Sequence, residues 1–406
     1  MKLIRYILGL LMVLLLAACR SGSEEEFAQD ECYLTIYVYA PSNPLLTRAD
    51  VDHRDATAEE NTIKKLQLWV YKHASGELVS YLEKENVEVG SSSASVFTMI
   101  ISPEFANNPE NVDVYALANV STDNAGYSFN RETTRATLDA AVLEDDFFGV
   151  EAGKLVQSVP ADGLPMTAIL KDQTVVGTFP ALRVGTTDAM ATMLLTRTVS
   201  KVRFVLCRAH DAVDTAKQLQ AITGIKLNTN MIPSQTYLTL EQPFDNSLNP
   251  TNLLGASRCH IADAGYESTE ALIGAVAHEN IGTIPVQATP GETWTYNSTK
   301  HGTWSQYVDA INQGITDGDL LELGTTYLRE SDKKITGSIT YTVVKEPDTE
   351  RFTPFEMDRA GDFTRNHSWT VLVMFEGGKM RVLNVVDIAV RTWNEKSIEP
   401  HEVYNW

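Results

Sequence analysis

The chain has 406 residues, 43% hydrophobic and 21% charged, with 53 acidic against 33 basic side chains and a formal net charge of −20. That length exceeds what one hydrophobic core comfortably serves, so two domains are expected. So negative a charge repels phosphate backbones and anionic headgroups and excludes nucleic acid as a partner.

The chain opens with Lys2 and Arg5 ahead of an apolar run from Ile7 to Leu16. This run is about half as long as a bilayer-spanning helix requires. A positive start, a short apolar stretch and small residues before a cysteine describe a lipoprotein signal peptide over residues 1–18, with Cys19 as the acylated new N-terminus. An ordinary signal peptide followed by a chance cysteine is the competing reading. Acyl chains on Cys19 would anchor the protein to a membrane without spanning it.

Residues 19–48 divide into a tether and a strand. Ser21 to Glu26 is polar and flexible in composition. Cys32, Leu34, Ile36 and Val38 then alternate with Tyr33, Thr35, Tyr37 and Tyr39, a strong period-2 strand signal. Pro41-Ser42-Asn43-Pro44 ends the strand and leaves Leu46-Thr47-Arg48-Ala49 in an extended loop. One cut after Arg48 would sever strand, tether and lipid from the rest.

The remainder is rich in strands. Segments are predicted at Leu66–Tyr71, Val96–Ile101, Val112–Leu117, Thr174–Phe179, Met193–Leu195, Lys201–Leu206, Thr236–Leu240, Gly337–Val344, Trp369–Phe375 and Arg381–Val390. Short strands bounded by turn residues predict an all-β protein of packed sandwiches, not βαβ units. Helices are few. The clearest places Trp304, Tyr307, Val308 and Ile311 on one face with Gly314 as its stop; Ala212–Ile222 and Leu138–Leu143 are weaker. A polar stretch before residue 195 suggests domains over 49–195 and 196–381. Cys207 and Cys259 are free to pair, but one bridge is no disulfide framework.

Catalytic patterns are missing. The eight histidines are scattered, Cys259-His260 lacks two further ligands at zinc spacing, and neither a nucleophile elbow nor a phosphate-binding glycine loop occurs. Glu144-Asp145-Asp146 and Asp317-Gly318-Asp319 could each touch calcium, but neither continues into a full ligand loop and solvated charge is the better reading. Trp294, Tyr296 and Trp304 suit either a sugar-binding surface or, more readily, internal packing. No cofactor, metal or enzyme activity is expected.

An immunoglobulin-like sandwich that lacks one strand exposes unpaired backbone and apolar positions, a template for a strand from another chain. Four inward side chains such as Leu34, Ile36 and Val38 contribute about 6–12 kcal/mol gross at about 1.5–3 kcal/mol each. While attached, the strand is present at millimolar effective concentration; once cut free it loses that advantage. The C-terminal segment 382–406 is the candidate replacement. Val382, Val386, Ile388 and Val390 alternate, with Asn384 out of place, and Trp393, Tyr404 and Trp406 follow. An ordinary last strand fits this segment equally well.

These features, with Val114-Tyr115-Ala116-Leu117-Ala118-Asn119, Leu164-Pro165-Met166, Leu195 to Val202 and Arg365-Asn366-His367-Ser368-Trp369, resemble the fimbrillin family, the type V pilins of anaerobic Gram-negative bacteria. The resemblance implies two tandem transthyretin-like β-sandwich domains with few helices. It also implies export as an outer-membrane lipoprotein lipidated at Cys19, and cleavage between Arg48 and Ala49 by an arginine-specific or trypsin-like protease. Displacement of the strand bearing Leu34, Ile36 and Val38 by a neighbour's 382–406 would build a fimbrium for adhesion and biofilm. Partners would be other pilin subunits and host or bacterial surface ligands. Arg54 is a second cut position. A stalk role fits the combination of cleavable loop and C-terminal segment; tip subunit, anchor subunit and glycan-binding surface lipoprotein are the alternatives.

Overall fold

The computed structural model describes residues 31–39, 58–87, 95–150, 153–209, 217–239, 265–266, 271–275, 286–331, 333–357, 363 and 365–389. The first half contains β1 (Cys32–Tyr39), α1 (Ala58–Asn61), β2 (Ile63–Lys72), β3 (Leu78–Val87), β4 (Ser95–Ile101), α2 (Pro103–Asn107) and β5 (Val112–Ala118). It continues with α3 (Arg135–Asp139), β6 (Val142–Glu144), β7 (Met166–Gln173), β8 (Val175–Thr178), β9 (Ala181–Val184), β10 (Thr192–Leu194) and β11 (Thr196–Arg197). The second half runs through β12 (Val199–Ala209), β13 (Leu219–Leu227), β14 (Gln235–Tyr237), β15 (Ala271–Ile273), β16 (Val286–Gln287), α4 (Pro290–Trp294), α5 (Ser298–His301) and α6 (Trp304–Asp317). It closes with β17 (Leu321–Arg329), β18 (Ile335–Val343), β19 (Glu346–Met357), β20 (His367–Glu376) and β21 (Lys379–Ala389).

The protein is all-β, built as β-sandwiches. Sheet I has β1 at its centre, with β4 on one side and β9 and β10 on the other; β8 lies beyond β9. Sheet II runs β11-β7-β5-β2-β3. Leu34, Ile36, Phe97 and Met193 of sheet I meet Leu66, Leu68, Val114 and Met166 of sheet II in one core. In sheet III, β12 has β20 and then β21 on one side, β17 and β16 on the other; sheet IV runs β15-β13-β18-β19. Val202, Phe204, Trp369 and Val371 pack there against Ile225, Ile339 and Phe355.

Two outer faces are also covered. On sheet II, Trp69, Tyr71 and Tyr115 lie under Phe129, Leu138 and Phe148 from the segment after β5. That double burial explains why β2 and β5 read as apolar runs rather than as alternating strands. On sheet III, Val205, Leu372 and Leu383 lie under Tyr307, Val308 and Ile311 of α6.

Three expectations are corrected. The long helix does not stop at Gly314 but runs to Asp317 and ends at Gly318, whose φ of 80° is the left-handed cap. Gly314 serves packing instead, since a Cβ there would stand 2.5 Å from the Trp294 ring. Within Ala212–Ile222, the residues from Leu219 onward open strand β13, where Ile222 and Ile225 pair with β18 instead of forming a helical face. Leu138–Leu143 is divided. Thr134 caps α3 by accepting from the Thr137 N–H, the helix ends at Ala140, and Leu143 sits in β6 opposite Thr236 of β14.

The halves are tied by buried charge. Glu60 on α1 lies 3.0 Å from the Lys201 ammonium and accepts from the Tyr327 hydroxyl. Arg197 donates to the Glu60 carbonyl at 3.2 Å and to Asn366 Oδ1 at 3.1 Å. Burial alone would raise the Glu60 pKa; Lys201, Tyr327 and Arg197 together outweigh it and hold the carboxyl below its usual range. Arg365 is fully buried against Glu330, donating to it through Nε at 2.7 Å and to the Leu238 carbonyl at 3.1 Å. The segments Leu195 to Val202 and Arg365 to Trp369, singled out by sequence, thus build the junction.

Candidate functional site: the slot of the first strand

β1 is an eight-residue strand in the middle of sheet I. Along one edge it is antiparallel to the whole of β4, from Cys32 opposite Ile101 to Val38 opposite Ser95. Along the other edge it is parallel first to β9, with Leu34 beside Leu182, and then to β10, with Val38 beside Met193. The Tyr33 N–H also donates to the Pro180 carbonyl at 2.8 Å. A strand so placed leaves two unsatisfied edges if withdrawn, and unpaired backbone out of water is costly.

Its side chains follow the period-2 reading. Cys32, Leu34, Ile36 and Val38 are buried to within 1% of completely. Tyr33, Thr35 and Tyr37 are half-buried on the other face, and the Tyr33 hydroxyl donates to Glu31 at 2.5 Å. The alternation follows from strand geometry, because successive Cβ atoms point to opposite sides.

The walls of the slot have supports of their own. Ser80 Oγ on β3 donates to the Ile100 carbonyl at 2.6 Å, fastening β4 to sheet II. β9 is paired to β8 from Val175–Val184 to Thr178–Ala181. β10 has no partner but β1 among the described strands, yet one residue later β11 pairs with β7.

Of the other residues singled out by sequence, Cys19, Arg48, Ala49, Arg54, Cys259, Val390, Trp393 and Trp406 lie outside the described residues. Val382, Val386 and Ile388 belong to β21, which forms a hairpin with β20. The single-face alternation read for that segment is corrected. A bulge opposite Leu372 and Val373 shifts the register, so Val382 and Val385 turn to the sandwich core while Leu383 and Val386 pack toward α6. Asn384 is fully buried at this bulge, donating to the Trp294 carbonyl at 3.0 Å and to the Tyr307 hydroxyl at 2.6 Å. Its place in an apolar run reflects that polar pin.

Trp294 is only 7% exposed and donates through its indole N–H to Gln287, so its ring offers no face to a sugar. Tyr296 and Trp304 stack on each other with centroids 3.8 Å apart. Cys207 is a buried free thiol, its pKa pushed up to about 12 by desolvation. No group of three or more His, Cys, Asp or Glu side chains able to hold a metal occurs among the described residues. Of the slot's walls, the sequence reading places strands at Val96–Ile101, on β4, and at Met193–Leu195, on β10, and misses β9; which strands flank β1 leaves no local pattern.

The family model of the major fimbrial subunit protein (FimA) matches residues 45–203. No curated protein matches the chain. Among solved structures it is similar to the C-terminally truncated tip fimbrial protein Mfa3 from Porphyromonas gingivalis (12% identity, 89% of this chain and 100% of that one, TM-score 0.43). It is also similar to a fimbrilin (fimA) from Porphyromonas gingivalis W83 (10% identity, 89% and 98%, TM-score 0.43). A third is a fimbrial assembly protein from Parabacteroides distasonis ATCC 8503 (11% identity, 88% and 99%, TM-score 0.41). The match over residues 45–203, from just before Arg48 into β12, is to the kind of family that the sequence resembles, the fimbrillins.

Proposed function

We propose that this chain is a stalk subunit of a cell-surface fimbrium, exported as a lipoprotein through Cys19 and matured by cleavage after Arg48. Cleavage frees β1, and the C-terminal segment of another subunit takes its place, so that subunits join end to end. The family is one of structural fimbrial subunits and not an enzyme class. The observation that carries the reading is the position of β1. It is a central strand whose inward side chains complete the first core, yet it is continuous with the segment bearing Arg48.

Domains over 49–195 and 196–381, with 382–406 as donor, fit this scheme with one refinement. Since Lys379–Ala389 is already the hairpin partner of β20, either β21 peels from its edge position or the residues after Ala389 enter the neighbour's slot. An outer-membrane anchor for the precursor and a trypsin-like maturation protease complete the proposed partners.

The test is limited trypsin treatment of the full-length chain, followed by non-boiled gels and mass measurement of the body. A body starting at Ala49 (or Asp55, after a cut at Arg54) that forms ladders is the expected result. An Arg48→Ala chain that assembles at the parent rate would remove Arg48 from the scheme. A cleanly clipped chain that stays monomeric would overturn strand exchange itself.

A further inference from the structure

The outer face of sheet I differs from every other sheet surface described here. Sheet II and sheet III are each covered on their outer faces, by the segment after β5 and by α6 respectively. Sheet I has no such layer among the described residues. Val96 and Ile100 of β4 stand 56% and 62% exposed, beside Tyr37 and Tyr33 in register. Phe179 and Met190, in the turns flanking β9, are exposed as well, so four of the six exposed large apolar side chains border this one sheet.

Its charge is equally unusual. Reading outward positions along β1, β4, β8, β9 and β10, the single charged side chain is Arg183. The exposed apolar residue of sheet IV, Phe352, sits by contrast on a face that also carries Lys226 and Glu356. On a chain of net charge −20, copies repel one another over most of their surfaces. Glu31, which accepts from the outward Tyr33 hydroxyl at 2.5 Å, leaves with β1, and the remaining face, without acidic side chains, is where two copies can approach at least electrostatic cost. An exposed apolar patch rimmed by polar residues marks an interaction site.

We propose that the outer face of sheet I, centred on Val96 and Ile100 of β4, which stay when β1 leaves, is a docking surface for the body of a second copy of this chain. The choice of occupant rests on the strand-exchange reading. The slot runs through the middle of this sheet, so a subunit whose strand enters it brings its own chain to this face. The strand that replaces β1 would supply the inward contacts, and the neighbour's body would cover Val96 and Ile100.

The test uses full-length chains clipped with trypsin. A labelled peptide of residues 382–406 reports the slot, and mass photometry reports assembly. Val96→Glu/Ile100→Glu should capture the peptide within about twofold of the parent and form at least tenfold fewer multimers. Thr122→Glu/Thr299→Glu, adding the same charge at exposed sites elsewhere, should assemble as the parent does. The proposal is overturned if the sheet I variant assembles normally, or if its assembly falls only in step with peptide capture. A parent that neither captures peptide nor assembles would instead dispose of strand exchange, and this occupant with it.

Discussion

Replacing Ile36 by alanine tests the grip of the slot on its strand. Ile36 is 1% exposed, in register with Phe97 of β4, and lies within the core shared by sheets I and II. Leu34, Ile36 and Val38 together contribute about 4.5–9 kcal/mol gross, at about 1.5–3 kcal/mol for each buried aliphatic side chain. Truncating a buried isoleucine to alanine costs about 2–5 kcal/mol, because the site collapses only partly around the lost atoms. If β1 opens as a unit, its opening equilibrium rises by roughly thirtyfold at the low end and several thousandfold at the high end. Native-state hydrogen exchange of the uncut chain reads this directly, through faster exchange of β4 amides, whose partners are lost when β1 leaves, with β12 and β20 unchanged. Tyr37→Ala, on the outward face, should cost under about 1 kcal/mol by loss of cross-strand pairs. Equal acceleration throughout both sandwiches would show that β1 is an inseparable part of one cooperative core, and the argument for a removable plug would fail.

Other outcomes follow from the same contacts. Glu330→Gln leaves Arg365 buried without its carboxylate and should lower stability by about 3–5 kcal/mol in denaturant titration, whereas Glu330→Met/Arg365→Met together should recover most of that loss. Acid should destabilise the protein through Glu60 and Asp113. Burial alone would raise the Asp113 pKa, but the Asp172 N–H, His73 and Arg135 outweigh it and leave it lowered, as Glu60 is. Groups depressed in the folded state contribute stability above their unfolded values of 4.5 and 3.8, and that contribution is lost as pH falls through the lower folded values. The melting temperature should therefore drop steeply below pH 4.5, and Glu60→Gln/Asp113→Asn should be less stable at neutral pH but flatter in acid. Gly337→Ala places a Cβ 2.3 Å from the Lys226 carbonyl and 2.4 Å from the Phe355 ring, so a loss of about 1–3 kcal/mol is expected from thermal melts.

Period-2 alternation in Cys32–Tyr39 was enough to give β1 its bounds and its faces, because one buried face forces that pattern on the residues themselves. The same rule failed at β21. Asn384 and the bulge opposite Leu372 and Val373 place successive residues on one side, and no residue-by-residue pattern encodes a register shift set by a neighbouring strand. β17 and β19 escaped notice for a related reason. Arg329 ends β17 buried, donating to the Glu144 and Phe147 carbonyls, while the first half of β19 is exposed, so neither shows a clean apolar period.

By itself the sequence determined the all-β class, the inward row of β1, the signal-like start and the arginine beyond the first strand, since composition and local alternation are properties of short segments. Tertiary structure alone decided that β1 is central rather than peripheral in its sheet, that β4, β9 and β10 form its walls, and that Glu60 with Lys201 and Arg197 with Asn366 knit the halves together. Strand pairing and buried ion pairs join residues tens to hundreds of positions apart. Their energies depend on desolvation and register, which exist only once the chain has folded.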